Sequence, residues 1–441
     1  MIRFFLSLSL ALLIAAPVVS TQARAAENVQ ELTSPGGIKA WLVEERSIPF
    51  TALELRFKGG ASLDAPGKRG AINLMTALIE EGAGDLDARG FAEARETLAA
   101  SYSFRAYDDA LTISVQFLSE NRDAAMALLR SALMEPRFDQ DAVDRVREQV
   151  LSGLRSDQTD PDTIASLRFS QLAWGDHPYG SASDGTIASV TALSRDDMFD
   201  ARARTLALDR LYVGAVGDIS AQELGLLLDD LLGALPETGA APVPEASVLL
   251  TGGQTVIPFD TPQSVAIFGQ PGIAFDDPDF MPAYVLNQIF GEGGEARLSQ
   301  EVREKRGLTY GIGSYLYPKQ KGALVLGQVA SANGVMAETV EVVRAEWAKI
   351  ASGDITREEL EAAQTYLTGA YGLRFDGNAK IAGILVGMQM QGQPLDYITR
   401  RNGLINAVTL EDINRVARDL YDPDLLEFVI VGQPAGLLPT D

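Results

Sequence analysis

The apolar and polar positions of this 441-residue chain follow two alternating patterns. Short segments that are apolar throughout, or apolar at every second residue, predict β-strands. They are Ala52–Phe57, Ala110–Phe117, Leu211–Gly217, Ser264–Gly269, Ala323–Ala330 and Leu426–Gly432. Longer segments with apolar residues every three to four positions predict amphipathic helices. They include Asn121–Leu133, Asp141–Leu154, Ala337–Ile350 and Arg357–Tyr371. The mixture predicts an α+β fold in which helices pack on one face of mixed or antiparallel sheets.

The order of these elements occurs twice along the chain. The strands that begin at Ala52 and Ser264 are 212 residues apart, and those that begin at Ala110 and Ala323 are 213 apart. Each half then ends its pattern with an apolar strand that closes on Val-Gly. We interpret this as a tandem duplication that produced two homologous α/β-sandwich domains, residues 26–236 and 247–441. The proline-rich segment 237–246 between them is typical of an extended linker.

The first 25 residues have the pattern of a secretory signal peptide. Arg3 precedes an apolar run over residues 4–19, and the small residues Ala23 and Ala25 predict cleavage before Ala26. We therefore expect an exported protein, and the periplasm is the simplest destination. The run is shorter than the roughly 20 apolar residues of a membrane-spanning helix, and no later segment is longer, so we expect no stable membrane anchor. Cysteine is absent, which excludes disulfides and lipidated cysteines.

Composition limits the chemistry that the chain itself can perform. With 60 acidic and 37 basic residues, the formal net charge of −23 argues against a nucleic-acid partner. Zinc peptidases bind their metal through histidine, cysteine and carboxylate, and this chain has one histidine and no cysteine. We predict neither a metal site nor a catalytic residue in this chain. The single histidine, His177, lies in a turn-rich segment without a serine-hydrolase motif, and we interpret it as structural. The segment Gly291–Ala296 matches a dinucleotide-binding pattern only loosely, because it follows a helix-like stretch and contains two glutamates.

Residues 59–82 resemble the beginning of the catalytic helix in the insulinase/pitrilysin family of zinc peptidases. Active members have the inverted zinc motif H-x-x-E-H there, with two zinc-binding histidines and a water-activating glutamate. At those positions this chain has Asn73, Thr76 and Ala77. The family's third ligand, a glutamate, would fall at Ser152 or Gly153. The resemblance therefore implies a degenerate zinc site that holds no metal.

Residues 296–315 resemble the family's substrate-positioning segment in the second domain. There an arginine and, seven residues later, a tyrosine face the zinc site and hold the substrate; Arg303 and Tyr310 have this spacing. The pattern also has a purely structural interpretation. Arg303 would then be the basic residue at a helix C-terminus, and Tyr310 would alternate with Leu308 and Ile312 in a strand.

Taken together, the two segments resemble the non-catalytic half of a split enzyme. The resemblance implies a non-catalytic partner subunit of a heteromeric zinc metallopeptidase, which supplies Arg303 and Tyr310 to the zinc site of a homologous H-x-x-E-H subunit. Zinc would then reside in that partner, and the substrate would be a peptide. Two alternatives remain open. One is a stand-alone periplasmic peptide-binding protein, and the other is a structural assembly protein without a peptidase role.

Overall fold

Groups of strands and groups of helices follow one another along residues 28–440, the part of the chain that this computed structural model describes. The predicted signal peptide, residues 1–25, lies outside the described residues. The strands are β1 Gln30–Thr33, β2 Lys39–Glu44, β3 Phe50–Lys58, β4 Gly82–Ala83, β5 Leu86–Asp87, β6 Ser101–Ala106, β7 Ala110–Leu118, β8 Leu211–Gly217, β9 Gly253–Pro258, β10 Gln263–Pro271, β11 Ile312–Lys319, β12 Gly322–Ala332 and β13 Glu427–Gly432.

The helices surround the strands in both halves of the chain. They are α1 Ala71–Leu78, α2 Ala88–Thr97, α3 Arg122–Met134, α4 Gln140–Asp157, α5 Pro161–Trp174, α6 Ile187–Thr191, α7 Arg195–Thr205, α8 Ala221–Leu232, α9 Phe280–Phe290, α10 Met336–Ala351, α11 Arg357–Gly369, α12 Asn378–Met390, α13 Tyr397–Asn406 and α14 Leu410–Leu420. The predicted strands and long helices are confirmed, with ends that shift by at most a few residues. None of these helices combines the length and the hydropathy that a membrane crossing needs.

Two large sheets have the same topology. The first has the order β1-β2-β8-β3-β7-β6, and the second, read in the same sense, has the order β9-β13-β10-β12-β11. In each sheet one pair is parallel, β2 with β8 and β9 with β13, and the other pairs are antiparallel. Apart from the extra edge strand β1, the sheets therefore match strand for strand, as the duplication predicts. The mixed sheets of the predicted fold class are confirmed.

Each half covers one face of its own sheet with its own helices. In the first half this core includes Phe57, Phe91 and Phe138, all fully buried. In the second half Phe268 stacks on Phe428 with ring centroids 5.3 Å apart, and both belong to the buried core around α9, α10 and α14. Burial of these large side chains is the main contribution to the stability of each half.

The other face of each sheet is covered by a helix from the opposite half. Helix α5 packs on β10 and β13, where Phe169 lies against Gly269. Helix α12 packs on β3 and β8, where Leu385 and Val386 lie against Gly214. A side chain at Gly214 would clash with the backbone of α12 and with Val386, and one at Gly269 would clash with the Val325 carbonyl of β12 and crowd Phe169, so both strands need glycine there. The predicted packing of helices on one face therefore holds for each sheet and the helices of its own half. The second face is also covered, by the helix from the other half.

The segment between the two sheets has neither helix nor strand over residues 237–252. It is hydrogen-bonded to both halves rather than free. The Ala240 amide donates to the carbonyl of Arg204 at 3.0 Å, and the Leu249 amide donates to the carbonyl of Ala173 at 2.9 Å. The Ala246 amide donates to the carbonyl of Lys321 at 2.6 Å. The connection therefore follows the surface where the two halves meet.

Candidate functional site

Helix α1, which the sequence predicts to correspond to the family's catalytic helix, begins at a tight turn. Gly70 has a φ of 92°, and a side chain on it would meet the carbonyl oxygen of Asp184. The Asp64 carboxylate accepts hydrogen bonds from the amides of Gly70 at 2.8 Å and Ile72 at 2.9 Å, which satisfies free donors of the first turn. Burial raises the pKa of Asp64, while these amides and Arg69 oppose the shift. The helix start is thus held in place without any zinc ligand.

The three positions predicted to correspond to the zinc motif carry no histidine and no carboxylate. Thr76 is buried, and its hydroxyl donates a hydrogen bond of 2.6 Å to the carbonyl of Ile72 one turn earlier. Asn73 is half-buried and Ala77 is exposed. A hydroxyl that is committed to the backbone does not act as a general base near neutral pH. The helix predicted to correspond to the family's catalytic helix therefore has no zinc-binding or water-activating group at these three positions.

The predicted third ligand position also lacks a histidine, cysteine or carboxylate side chain. Ser152 and Gly153 are exposed on α4. The nearby carboxylate of Glu81, just after α1, is engaged by Arg145 of α4, with Nη2 to Oε2 at 2.6 Å and Nη1 to Oε1 at 3.3 Å. The Glu148 side chain lies 3.7 Å from Arg155. Within residues 28–440, no group of three or more histidine, aspartate and glutamate side chains is arranged to hold a metal ion.

We expect the purified protein to contain no stoichiometric zinc and to hydrolyse no peptide, because Thr76 occupies the water-activating position. Elemental analysis of the protein and a peptidase assay are the measurements. An H-x-x-E-H homologue purified from the same organism in the same way is the positive control. One tightly held zinc ion per chain would contradict the prediction.

The segment predicted to position the substrate contains a short helix of π-type turns, residues Ser299–Glu304. The Lys305 amide donates to the carbonyl of Gln300, five residues earlier, which is the spacing of a π-turn. Leu298 and Val302 are fully buried on its inner face. Gly307, with a φ of 63°, ends the turn in the left-handed conformation that favours glycine. Turns of this type are frequent at functional sites because they displace side chains from regular helical positions.

Arg297 anchors this segment, a role that the sequence did not reveal. Its Nε and Nη2 atoms bind the two carboxylate oxygens of Glu359 at 2.7 and 2.8 Å, and Nη1 binds Asp354. Glu359 also accepts the Thr356 amide at the start of α11. These carboxylates raise the pKa of Arg297 although burial opposes the shift. The sequence shows only a basic residue before an apolar segment. Such a residue does not indicate ion-pair partners some 60 positions away in the chain.

Arg303 and Tyr310 both project from the protein surface. The Arg303 side chain is 48% exposed, and its one ion pair is with the adjacent Glu304, Nε to Oε1 at 3.3 Å. Tyr310 is 93% exposed and lies in a bend, while strand β11 begins only at Ile312. The structural interpretation of Tyr310 as a strand residue is therefore wrong. The Thr309 hydroxyl causes the bend, because it accepts the Gly311 amide at 3.1 Å and so replaces a strand hydrogen bond.

The cavities between the elements give no common site for the two predicted groups of residues. Of five cavities in residues 28–440, none is lined by Arg303 or Tyr310, and none is lined by Asn73, Thr76 or Ala77. Arg303 and Tyr310 belong to the second half, where seven residues of chain link them. Any ligand that contacts both side chains must therefore approach the second half from outside.

His177 has the structural role that the sequence predicted. Its Nδ1 accepts the Tyr179 amide at 3.2 Å, so the proton is on Nε2, which lies 3.2 Å from the carbonyl oxygen of Pro244. The imidazole packs edge-on against Tyr179 with ring centroids 4.5 Å apart. His177 thus ties the segment between the two sheets to the first half. Gly291 directly follows helix α9, which also removes the dinucleotide-binding interpretation of that turn.

A cavity of about 650 Å³ separates the two halves and has charged walls. Asp108 of the first half forms an ion pair with Lys319 of the second, and Asp109 accepts the Gln320 amide at 3.0 Å. The Tyr179 hydroxyl also donates to Asp109, and burial together with that carboxylate raises the pKa of Tyr179. The Lys319 ammonium lies 3.9 Å from the Tyr179 ring centroid. Sequence analysis missed this cluster, because two adjacent aspartates in a hairpin are an ordinary turn signal.

Comparisons with known proteins show clear similarity over most of the chain. The family profile described as Insulinase (Peptidase family M16) matches residues 40–186, and the profile described as Peptidase M16 inactive domain matches residues 192–367. A protein named non-peptidase homolog YmxG from Helicobacter pylori is 26% identical over 389 residues, which cover 88% of this chain and 90% of that protein. An uncharacterized zinc protease YmxG from Bacillus subtilis is 21% identical over 418 residues, which cover 93% of this chain and 100% of that protein.

Solved structures have the same fold. The crystal structure of a peptidase M16 inactive domain from Pseudomonas fluorescens superimposes with a TM-score of 0.87 at 29% identity, and covers 93% of this chain and 100% of that chain. A protease from Helicobacter pylori superimposes with a TM-score of 0.82 at 19% identity, and covers 92% of this chain and 99% of that chain. The second likeness concerns the fold alone.

Proposed function

The chain belongs to the insulinase family, peptidase family M16, as an inactive homologue, and on this premise we propose that it is the non-catalytic partner subunit of a heteromeric zinc metallopeptidase. In this role it supplies Arg303 and Tyr310 to the zinc site of a homologous H-x-x-E-H subunit. One observation carries the proposal. The motif positions of the first half are inert, while Tyr310 in the second half is 93% exposed and has no packing role.

The exposure of Arg303 and Tyr310 supports a role towards another molecule. An exposed ion pair such as that between Arg303 and Glu304 contributes little to stability, commonly less than about 1 kcal/mol. An exposed tyrosine gains little from burial. Both side chains are hydrogen-bond donors, and donors aimed at the developing oxyanion act strongly once a second subunit encloses the site and excludes water.

The proposed assembly divides the chemistry between two chains. The partner holds the zinc ion and the water-activating glutamate, and the present chain positions the peptide from the opposite wall. The net charge of −23 argues against binding to nucleic acid, which is also negatively charged. We therefore propose that the chain acts on peptides and has no nucleic-acid partner. We further propose that the chain acts after export to the periplasm, on the basis of the pattern in residues 1–25, and cell fractionation is the measurement for this location.

When mixed with an H-x-x-E-H homologue from the same organism, the chain should form a one-to-one complex. The peptidase activity of this complex should exceed that of the homologue alone, because the second half completes the partner's site. Size-exclusion chromatography combined with a fluorogenic peptide assay measures both properties. The homologue incubated with an unrelated acidic protein of similar size is the control.

Two other outcomes separate the alternatives. Co-elution without any gain in activity would favour a structural assembly protein. Absence of co-elution, together with peptide binding by the isolated chain, would favour a stand-alone peptide-binding protein. Either result would contradict the proposed supply of Arg303 and Tyr310 to a partner.

A further inference from the structure

A small aromatic pocket lies in the second half, far along the chain from the substrate-positioning segment. Its volume is about 300 Å³, at the lower end of the roughly 300–1,000 Å³ of small-molecule sites. Helices α9, α12 and α13 form its walls, and the short turn Tyr371–Arg374 closes one side. Five of its twelve lining residues are aromatic, and none is acidic. The lining of the pocket therefore carries no negative charge.

A buried, unneutralised arginine forms the floor of this pocket. Arg401 is only 5% exposed. Its hydrogen bonds all go to neutral oxygens: the Leu367 carbonyl at 3.2 Å, the Tyr284 hydroxyl at 3.2 Å and the Asn402 side-chain oxygen at 3.5 Å. Among residues 28–440 no carboxylate lies within ion-pair distance of its guanidinium. A buried charge of this kind is normally paired, because its removal from water is costly.

Aromatic rings stabilise the guanidinium of Arg401 without neutralising it. Its central carbon lies 4.2 Å from the ring centroid of Tyr371 and 5.5 Å from that of Tyr284. Burial raises the pKa of Tyr371 to about 12, so this ring is neutral at physiological pH. Both distances are within the range of cation–π contacts, and a guanidinium held in this way can bind a carboxylate through two parallel hydrogen bonds.

The rim of the pocket adds a second positive charge and an access route. Arg374 lines the pocket and is exposed to solvent. Phe275, Gly387 and Gln391 line both this pocket and the cavity between the halves. The pocket therefore adjoins the cavity between the halves, and these shared residues mark the side from which we expect a ligand to approach Arg401.

We propose that this pocket binds an apolar molecule that carries one carboxylate. The carboxylate binds Arg401 and Arg374, and the apolar group packs between the aromatic side chains and Met281. Two kinds of ligand combine these features. One is the free carboxyl end of a peptide whose last residue is apolar, and the other is a small free acid. The proposal goes beyond the function proposed above and requires no partner subunit, so its failure leaves the complex experiment unaffected.

Calorimetric titration of the isolated full chain tests the charge requirement. N-acetyl-phenylalanine should bind at least roughly 10-fold more tightly than its uncharged amide, which is the scale of one charge-assisted hydrogen-bonded pair. A tetrapeptide ending in phenylalanine and 3-phenylpropionate form the second comparison. Tighter binding of the tetrapeptide assigns the pocket to peptide ends, and tighter binding of phenylpropionate assigns it to small acids. Equal affinity for acid and amide, or no binding of any of these probes at millimolar concentration, would overturn the proposal.

Neighbouring arginines provide a matched set of variants. Arg374→Gln changes an exposed residue and should weaken binding of the acid roughly 10-fold while leaving the amide unchanged. Arg401→Gln should weaken it further, and the melting temperature reports whether that variant is folded. Arg400→Gln is the control, because Arg400 is adjacent in α13 but pairs with Asp396 outside the pocket. Equal effects of Arg374→Gln and Arg400→Gln would exclude the assigned site.

Discussion

Replacement of Arg303 by alanine, or of Tyr310 by phenylalanine, should lower kcat/KM of the reconstituted complex by roughly 10²-fold or more, the loss observed when one transition-state donor is removed. Partner binding and the melting temperature should stay nearly unchanged. The reason is geometric, since both side chains are exposed and the ion pair of the Arg303 side chain is with its exposed neighbour Glu304. The measurements are steady-state kinetics with a fluorogenic peptide and thermal unfolding of each variant.

Two controls separate positioning from general surface effects. Lys305→Ala removes a neighbouring surface charge that pairs with Glu301, and Tyr366→Phe removes the hydroxyl of another exposed tyrosine on α11. Neither variant should change kcat/KM appreciably. If Arg303 acts only as a helix-terminal charge, its loss lowers stability by about 0.3–1 kcal/mol and lowers activity only in proportion to unfolded protein. Parental stability together with a parental cleavage rate in both Arg303→Ala and Tyr310→Phe would refute the split-site mechanism.

The second large effect concerns α5 and α12, the helices that pack on the sheet of the opposite half. Phe169→Ala should lower the free energy of unfolding by about 3–5 kcal/mol, the usual loss for a fully buried phenylalanine. Phe169 lies on α5 of the first half, yet its ring packs against Gly269 in the second sheet. Because the helix connects both halves, the destabilisation should affect the whole chain. We expect one cooperative unfolding transition, which circular dichroism and tryptophan fluorescence should report at the same midpoint.

Leu167→Ala is the matched control for this experiment, since Leu167 lies on the same helix and is exposed. Its effect on the free energy of unfolding should stay within about 0.5 kcal/mol. Two separated transitions in the parent protein, or equal effects of Phe169→Ala and Leu167→Ala, would show that the halves fold independently. The predicted domain limits, residues 26–236 and 247–441, would then also describe two separable folding units.

Local patterns predicted most of the elements correctly. Strand β3 extends the predicted Ala52–Phe57 by a few residues, and α4 extends the predicted Asp141–Leu154 in the same way. Such elements are predictable because period-2 and period-3.6 patterns reflect burial of one face, which each segment encodes by itself. Tyr310 is the instructive failure. It alternates with Leu308 and Ile312 in the sequence, but the hydrogen bond between the Thr309 hydroxyl and the Gly311 amide turns the backbone before the strand begins.

The sequence alone determined which chemistry this chain lacks. One histidine and no cysteine exclude the two-histidine zinc site of active relatives, whatever the fold, because the ligand atoms are not present. Only the tertiary structure decided that Tyr310 is exposed, that α5 and α12 cover the opposite sheets, and that Arg401 lies buried without a carboxylate. These features depend on contacts between residues far apart in the chain. Such contacts depend on which surfaces stay exposed once the helices and strands have formed. The local pattern of apolar residues does not predict them.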